Sequence, residues 1–156
     1  MTLNFLPYDN DEVARLRSGG LDAYGNPAER SISDGQGKPC RSCLCNIADG
    51  REMLICAARP FAASHAYAET GPVFFCADEC TPHGGAGIPA VLQTSPDYLL
   101  KGYDVHERIV YGTGQITPKG QIAGYAATLL QRAEVAYVDV RSARNNCFLT
   151  RIVSPA

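Results

Sequence analysis

The chain has 156 residues, of which 46% are hydrophobic and 19% charged, and a formal net charge of −2. This composition excludes a wholly disordered chain and fits one domain with a real core, so residues 1–156 are predicted to be a single domain. Lysine and arginine form no basic block, which argues against nucleic acid or an anionic membrane as a partner.

The N-terminal residues predict neither an export signal nor a membrane anchor. Residues 1–8 lack a positive region and a long apolar run, and nothing approaches the roughly 20 apolar residues of a membrane span. We therefore expect a cytoplasmic protein whose thiols stay reduced. The seven cysteines agree with this, because an odd number cannot all pair within one chain.

The first 38 residues predict an extended start, a short helix and a long loop. Asp9 or Asn10 can cap the helix, and Gly19 ends it. Residues 18–39 are rich in Gly, Ser, Asn, Asp and Pro, which is typical of a loop. A loop of this length is either a lid or a mobile arm, and its few apolar anchors favour the arm.

Short apolar segments after this loop predict strands. They cover residues 52–58, 73–77, 98–103, 108–113, 135–141 and 147–153. Residues 52–58 are apolar on both faces, which indicates a central strand. In the strand over 135–141, aliphatic side chains occupy one face, and Tyr137, Asp139 and Arg141 occupy the other.

The clearest predicted element is a helix over about 117–132. Thr117 can cap it with Pro118 at its first position. Apolar residues then recur on one helical face: Ile122, Tyr125, Ala126, Leu129 and Leu130. The fold class predicted is α+β, a mostly antiparallel sheet with this one main helix packed on one face and long N-terminal loops.

Six of the seven cysteines lie between residues 40 and 80. Two short turns in this stretch and just after it supply four candidate zinc ligands: Cys40, Cys43, Cys80 and His83. Tetrahedral zinc takes such sets, and Cys45 or Cys76 could replace a member. The alternative is a group of free, buried thiols, and the positions of Cys56 and Cys76 within predicted strands indicate that role for them.

Two further interpretations use thiol chemistry. Cys40 and Cys43 could form a redox pair with Arg41 as the nearby positive charge, although the usual motif opens a helix and residues 44–50 do not predict one. Cys147, close in sequence to several arginines and asparagines, could be an activated nucleophile. A buried cysteine at the start of a strand is the simpler interpretation of Cys147.

The polar face of the strand over 135–141 predicts a ligand site or a set of solvent-facing ion pairs. The candidate ligand-binding residues are Tyr103, Asp104, Arg108, Tyr111, Arg141, Asn145 and Asn146. Arg141 could clamp a carboxylate or phosphate, and Asp139 could accept a hydrogen bond or act as a catalytic base. We expect Asp139 or Asp104 to be the carboxylate that orients Arg141.

Several runs resemble a bacterial family that carries the label domain of unknown function 1203. They are Pro39-Cys40-Arg41-x-Cys43-Leu44, Gly71-Pro72-Val73-Phe74, Gly102-Tyr103-Asp104, Arg108-Ile109-Val110-Tyr111-Gly112-Thr113-Gly114, and the stretch from Val135 to Cys147. The resemblance implies no activity. The family pattern often holds histidine at the position of Asp139, so any role of that histidine would fall here to a carboxylate.

These patterns leave three functions open. The chain is a small-molecule-binding domain for an anionic ligand, or a minor enzyme, with its site between the cysteine-bearing loops and the strand of Asp139 and Arg141. Alternatively, it is a structural or interaction module stabilised by zinc, or a redox protein that uses Cys40 and Cys43. The identity of the ligand and the oligomeric state stay open at this point.

Overall fold

The computed structural model describes residues 2–155, which form two antiparallel sheets with two α-helices. The elements in chain order are β1 (Asn4–Leu6), α1 (Asn10–Arg17), β2 (Glu29–Ile32), β3 (Glu52–Ala58), β4 (Gly71–Cys76), β5 (Asp97–Tyr103), β6 (Gln115–Pro118), α2 (Ile122–Leu130), β7 (Tyr137–Ser142) and β8 (Phe148–Val153). One sheet has the order β1-β8-β7-β5-β6 and the other β2-β3-β4. The predicted α+β class with one main helix is confirmed.

The five-stranded sheet carries an aliphatic core on the face that α2 covers. Side chains on alternate positions of β5, β7 and β8 point to this face because strand residues alternate in direction. Its buried members include Leu100, Val138, Val140, Ile152 and, from α2, Leu129. This packing is the predicted contact between the aliphatic strand face and the helix.

The main helix begins later than its sequence predicts. Thr117 belongs to β6, where it pairs with Tyr98 and its hydroxyl donates to Gln115 O, so it does not cap a helix. A 3-10 turn at Lys119–Gln121 then leads into α2. Pairing with β5 keeps residues 115–118 extended, and this tertiary contact overrides the local capping signal.

The predicted strand over 108–113 is wrong. The segment forms an isolated bridge between Ile109 and Tyr103, and Val110 N donates to Gly102 O at 2.9 Å, but these contacts do not continue as a strand. The carboxylate of Asp104 instead accepts bonds from the backbone amides of His106 and Arg108, at 2.9 and 3.0 Å, and holds the chain in a turn. The strand that pairs with β5 at this edge is β6.

The N-terminal region follows its prediction in part. Asp9 caps α1 by accepting bonds from the amides of Asp11 and Glu12. The predicted loop over 18–39 contains β2, which pairs with β3 in an antiparallel register. All four residues of β2 are exposed, so its sequence lacks the alternation that identifies a half-buried strand. The mobile arm stays a prediction.

The second face of the five-stranded sheet lies beneath the loop over residues 59–70. Phe61 from this loop packs on Tyr103 and Tyr137, whose rings stack 5.3 Å apart. The three-stranded sheet has its own core with α1, in which Val13 and Leu16 join residues of β3 and β4. Within residues 2–155, no helix has the length and hydropathy needed to cross a membrane.

Candidate functional site

Four thiols converge beside the three-stranded sheet: Cys40, Cys43, Cys76 and Cys80. Their sulfur atoms all lie within 4.8 Å of one another, and those of Cys40 and Cys80 are 3.9 Å apart. Tetrahedral zinc–sulfur bonds of about 2.3 Å place neighbouring sulfurs about 3.8 Å apart. This tetra-cysteine cluster therefore has the composition and the spacing to hold a metal ion.

A tight turn over residues 40–45 orients the thiols of Cys40 and Cys43. The amide of Leu44 donates to Cys40 O at 3.0 Å, and the amide of Cys40 donates to Cys45 O at 2.9 Å. The turn places Leu44 at φ 56°, a left-handed conformation that costs a branched residue about 1–3 kcal/mol. Burial of the Leu44 side chain in the main core offsets this strain.

The other two thiols come from the end of β4 and the loop after it. The turn lies along the free edge of β4, where the amide of Arg41 donates to Phe74 O and Cys40 bridges Phe74. Side chains alternate along β4, so Val73 and Phe75 enter the core of the small sheet while Cys76 points toward the turn. The backbone amide of Cys76 also donates to Cys40 Sγ at 3.3 Å.

Two arginines supply positive charge near the thiols. Four thiolates around a divalent ion carry a net charge of about −2, and outer partners that balance such a charge stabilise the site. Arg17 donates to Cys80 Sγ at 3.2 Å and to Cys76 O at 3.0 Å. Arg41 is 3% exposed; burial lowers its pKa to about 10, while the charges of Cys147, Cys40 and Cys56 oppose that effect.

Because the thiols lie close together, their pKa values are shifted in opposite directions. Hydrogen bonds from Cys43 and Cys76 lower the pKa of the Cys40 thiol. The same contacts with Cys40 raise the pKa of both Cys43 and Cys76. A metal ion bound by these four sulfurs would displace their protons, so its affinity would depend on pH.

The structure changes one member of the predicted ligand set. It brings Cys40, Cys43 and Cys80 together with Cys76, whereas the ring of His83 contacts Gly87 O at 3.3 Å. Cys76 is half-buried beside these thiols and is not the isolated core thiol that its strand position predicts. The spacing Cys76-x-x-x-Cys80 could have identified the pair, because zinc turns hold two to four residues between ligands.

The remaining cysteines lie outside the cluster. Cys56 is buried in the core of the small sheet, as predicted, and Cys45 is exposed. No helix starts at Cys40 or Cys43 in the described chain, so the helix dipole that activates the usual redox motif does not act on either. The redox role stays a prediction.

The polar face of β7 is not a solvent-facing surface. Asp139 is fully buried, and its two oxygens accept bonds from Arg151 on β8 at 2.7 and 3.0 Å. Burial raises the pKa of the Asp139 carboxyl, and Arg151 opposes that effect. Because both oxygens are engaged with Arg151, Asp139 is positioned as one half of a buried ion pair, and its catalytic role stays a prediction.

Arg141 is oriented by groups other than those expected. Its Nη1 donates to Asn146 O at 2.9 Å and lies 3.5 Å from a carboxylate oxygen of Glu69. Neither Asp139 nor Asp104 takes this place: Asp139 pairs with Arg151 and Asp104 holds a local turn. The Arg141 side chain is only 5% exposed, and it lies close enough to the Tyr103 hydroxyl to oppose the burial that raises the pKa of that phenol.

A cavity of about 250 Å³ lies against Arg141. The turn between β7 and β8 lines it with Asn145, Asn146 and Cys147, and the loop over 59–70 contributes Glu69. Glu69 also accepts a bond from Lys101 at 3.1 Å. Three residues of the predicted ligand set, together with the candidate nucleophile Cys147, therefore share one cavity.

The other predicted ligand residues do not line this cavity. Tyr103 is buried; burial raises the pKa of its hydroxyl to about 12, and the nearby Arg141 side chain opposes that effect. Arg108 stacks over the ring of Tyr67 at 5.0 Å, and the hydroxyl of Tyr67 contacts that of Tyr111 at 2.8 Å. Arg108 and Tyr111 therefore form a separate surface group with Tyr67.

Comparison with known proteins yields a family and nothing finer. The model of the family described as "protein of unknown function (DUF1203)" matches residues 37–153. No curated protein matches the chain. No solved structure matches it either.

Proposed function

The chain belongs to the DUF1203 family, and we propose from its own geometry that it is a domain stabilised by one zinc ion. The single observation that carries this proposal is the convergence of four cysteine sulfurs within 4.8 Å of one another. Sets of four thiolates favour zinc over hard cations such as magnesium and calcium, which prefer oxygen ligands.

The zinc would act as a structural cross-link. A closed set of four protein ligands leaves no coordination position for water or substrate, as in other structural zinc sites. Here the ligands join the turn over residues 40–45 to the end of β4 and to the following loop. The bound metal would fix the free edge of the small sheet.

Metal content tests this proposal. Protein purified without chelator should contain about one zinc per chain by elemental analysis, and Cys76→Ser should remove it. His83→Ala is the matched control, because it deletes the ligand that the sequence predicted and should keep the zinc. A metal-free wild-type protein, or loss of zinc from His83→Ala alone, would contradict the proposal.

We also propose a second function, the binding of a small anion in the cavity beside Arg141. The observation that favours it is the position of the Arg141 guanidinium, which is 5% exposed and lines the same cavity as Asn145 and Asn146. A charge-assisted hydrogen bond from a mostly desolvated guanidinium to an anion is strong. A volume of about 250 Å³ suits a small carboxylate or phosphate.

A thermal-shift titration tests the second function. Inorganic phosphate or oxalate should raise Tm of the wild-type protein, because binding to the folded state alone stabilises it. Arg141→Lys should abolish the shift while the fold persists, since lysine lacks the planar fork. Arg144→Lys, on the same turn but 65% exposed and paired with Asp97, is the matched control and should keep the shift. No wild-type shift with either anion would refute the proposal.

A further inference from the structure

A second cavity, of about 660 Å³, shares Ala58, Pro60 and Phe148 with the Arg141 cavity as lining residues. It opens between the start of α1 and the chain that leaves β3. Its volume lies in the range of roughly 300–1,000 Å³ that is usual for small-molecule sites. Neither the zinc ligands nor Arg141 line it.

Aromatic rings form much of its apolar wall. Tyr8 packs edge-on against Phe148, with ring centroids 6.5 Å apart. Phe61 also lines the cavity and is held over Tyr103, with ring centroids 5.6 Å apart. These rings are fixed by the core beneath them, so they provide rigid surfaces for a flat ligand.

The acidic side chains in this wall already have partners. They are Asp9, Glu12, Asp22 and Glu107. Backbone amides engage Asp9, Asp22 and Glu107, and Arg15 engages Glu12. A cationic ligand would have to compete with these bonds for every carboxylate.

The arginines that line the cavity differ in whether a carboxylate pairs with them. Arg15 is paired with Glu12, and Arg151 is paired with Asp139. Arg59, at the end of β3, makes no ion pair within residues 2–155, and its Nε is shielded from solvent without a hydrogen-bond partner. Burial raises the pKa of Tyr8 to about 12 and Arg59 opposes this, so the guanidinium acts on the same wall as the Tyr8 phenol.

We propose that this cavity binds an organic anion with a planar aromatic body. Arg59 is the donor for the anionic group, since an unpaired, partly desolvated guanidinium gains most from a carboxylate or phosphate oxygen. The aromatic body packs against the rings that line the cavity, Tyr8 and Phe61 among them, where offset or edge-on ring contacts are favourable. The site depends on neither the zinc ion nor the Arg141 cavity.

Naphthoate is the probe that tests this site, with neutral naphthamide as its isostere. Calorimetry should detect naphthoate binding to the zinc-loaded full chain, and Arg59→Gln should weaken it by about tenfold or more. Arg30→Gln removes an exposed arginine that pairs with Glu52 outside the cavity, so this control variant should bind like the wild type. Equal binding of naphthamide, or unchanged binding by Arg59→Gln, would overturn the proposal.

Amide-shift mapping on the wild-type protein keeps the test decisive if Arg59→Gln fails to fold. Naphthoate should shift the amides of Arg59, Phe61 and Tyr8. Shifts confined to Asn145, Asn146 and Cys147 would place the anion in the Arg141 cavity and overturn this site, and the absence of any shift would do the same. Zinc content is measured separately, so failure of the metal proposal is distinguishable from failure of this one.

Discussion

The two sheets of this protein are stabilised in different ways. The five-stranded sheet buries a continuous aliphatic core beneath α2. The three-stranded sheet has one strand, β2, that is exposed along its whole length, and its core mixes short side chains and cysteines with larger residues. Small sheets bury too little apolar surface to be stable alone, and a metal is a common remedy. The thiol cluster lies beside the sheet that needs such support.

The three-stranded sheet and its neighbouring segments contact the five-stranded sheet at the start of β8. Arg41, in the turn over residues 40–45, donates to Phe148 O on β8 at 2.8 Å. Tyr8, just before α1, packs against both Phe75 and Phe148. Loss of order in the small sheet should therefore reach the first residues of β8 while leaving the core beneath α2 intact.

Loss of the metal should have the largest effect on stability. Cys43→Ser should lower Tm sharply, because zinc-binding energies of roughly 10–16 kcal/mol in zinc-finger peptides appear as folding energy. Thermal denaturation measures this, with hydrogen exchange to show that β3 and β4 lose protection before β7. Cys45→Ser is the matched control, because Cys45 is exposed and outside the cluster. Equal Tm values for the two variants would contradict a structural metal.

The buried ion pair should produce the next largest effect. Asp139→Ala leaves Arg151 without its carboxylate beneath Phe61, and breaking such a pair costs about 3–5 kcal/mol. Urea denaturation of the zinc-loaded protein measures the change. Glu134→Ala, which breaks the exposed pair of Glu134 with Arg132, is the comparison. If Asp139→Ala lowered the free energy of unfolding by less than Glu134→Ala, the Asp139–Arg151 pair would be more hydrated than its geometry indicates.

Truncating a side chain in the aliphatic core under α2 should lower the free energy of unfolding by the amount usual for protein cores. Leu129→Ala removes a side chain that is 3% exposed and should lower the free energy of unfolding by about 2–5 kcal/mol. The same denaturation experiment measures it. The loss should be nearly the same with and without zinc, because none of the four thiols belongs to this core, which reaches their turn through Leu44. If the loss of unfolding free energy in Leu129→Ala depended on zinc, the two sheets would not be stabilised separately.

Glu69→Gln should have the smallest effect on stability. Burial raises the pKa of Glu69, but Arg141 and Lys101 more than offset this and lower it below its ordinary value. The contribution of Glu69 is therefore present above its unfolded pKa and is lost as the pH falls through the lower folded pKa. Since Glu69 is 40% exposed, we expect less than about 1 kcal/mol at neutral pH.

The same variant sharpens the anion proposal. Removing the carboxylate that lies 3.5 Å from Arg141 leaves the guanidinium freer, so phosphate should stabilise Glu69→Gln more than the wild type. Thermal-shift titration at neutral pH measures the difference. A smaller phosphate shift in Glu69→Gln would show that Glu69 and the anion do not share Arg141.

Local patterns in the sequence predicted most of the elements. A run of apolar residues identified β3, and apolar segments or periods identified β5, β7, β8 and the buried face of α2, because β3 packs in the core of the small sheet and the others in the core beneath α2. The wrong predictions are explained by tertiary contacts that local sequence does not show. Thr117 has a good capping sequence but pairs with β5, and the segment over 108–113 has strand-forming residues but follows the turn that Asp104 holds.

The site was predictable only where its residues are close in sequence. Cys40 and Cys43 form a recognisable pair, whereas the choice between Cys76 and His83 depends on how β4 lies beside the turn. Arg141 stays a predicted ligand residue, and Glu69, its ion-pair partner, lies 72 positions away in a loop with no sequence signal. The large cavity at Arg59 combines α1, β3 and β8, so no single stretch of sequence encodes it.

Cobalt substitution tests the tetrathiolate centre most directly. Cobalt(II) takes the geometry that its ligands impose, and its spectrum distinguishes a tetrahedral thiolate site from an octahedral oxygen site. The zinc-free protein should bind one cobalt ion per chain with intense tetrahedral bands and thiolate charge-transfer absorption, and zinc should displace it. A weak octahedral spectrum, or an unchanged tetrathiolate spectrum in Cys76→Ser, would contradict a metal centre formed by Cys40, Cys43, Cys76 and Cys80.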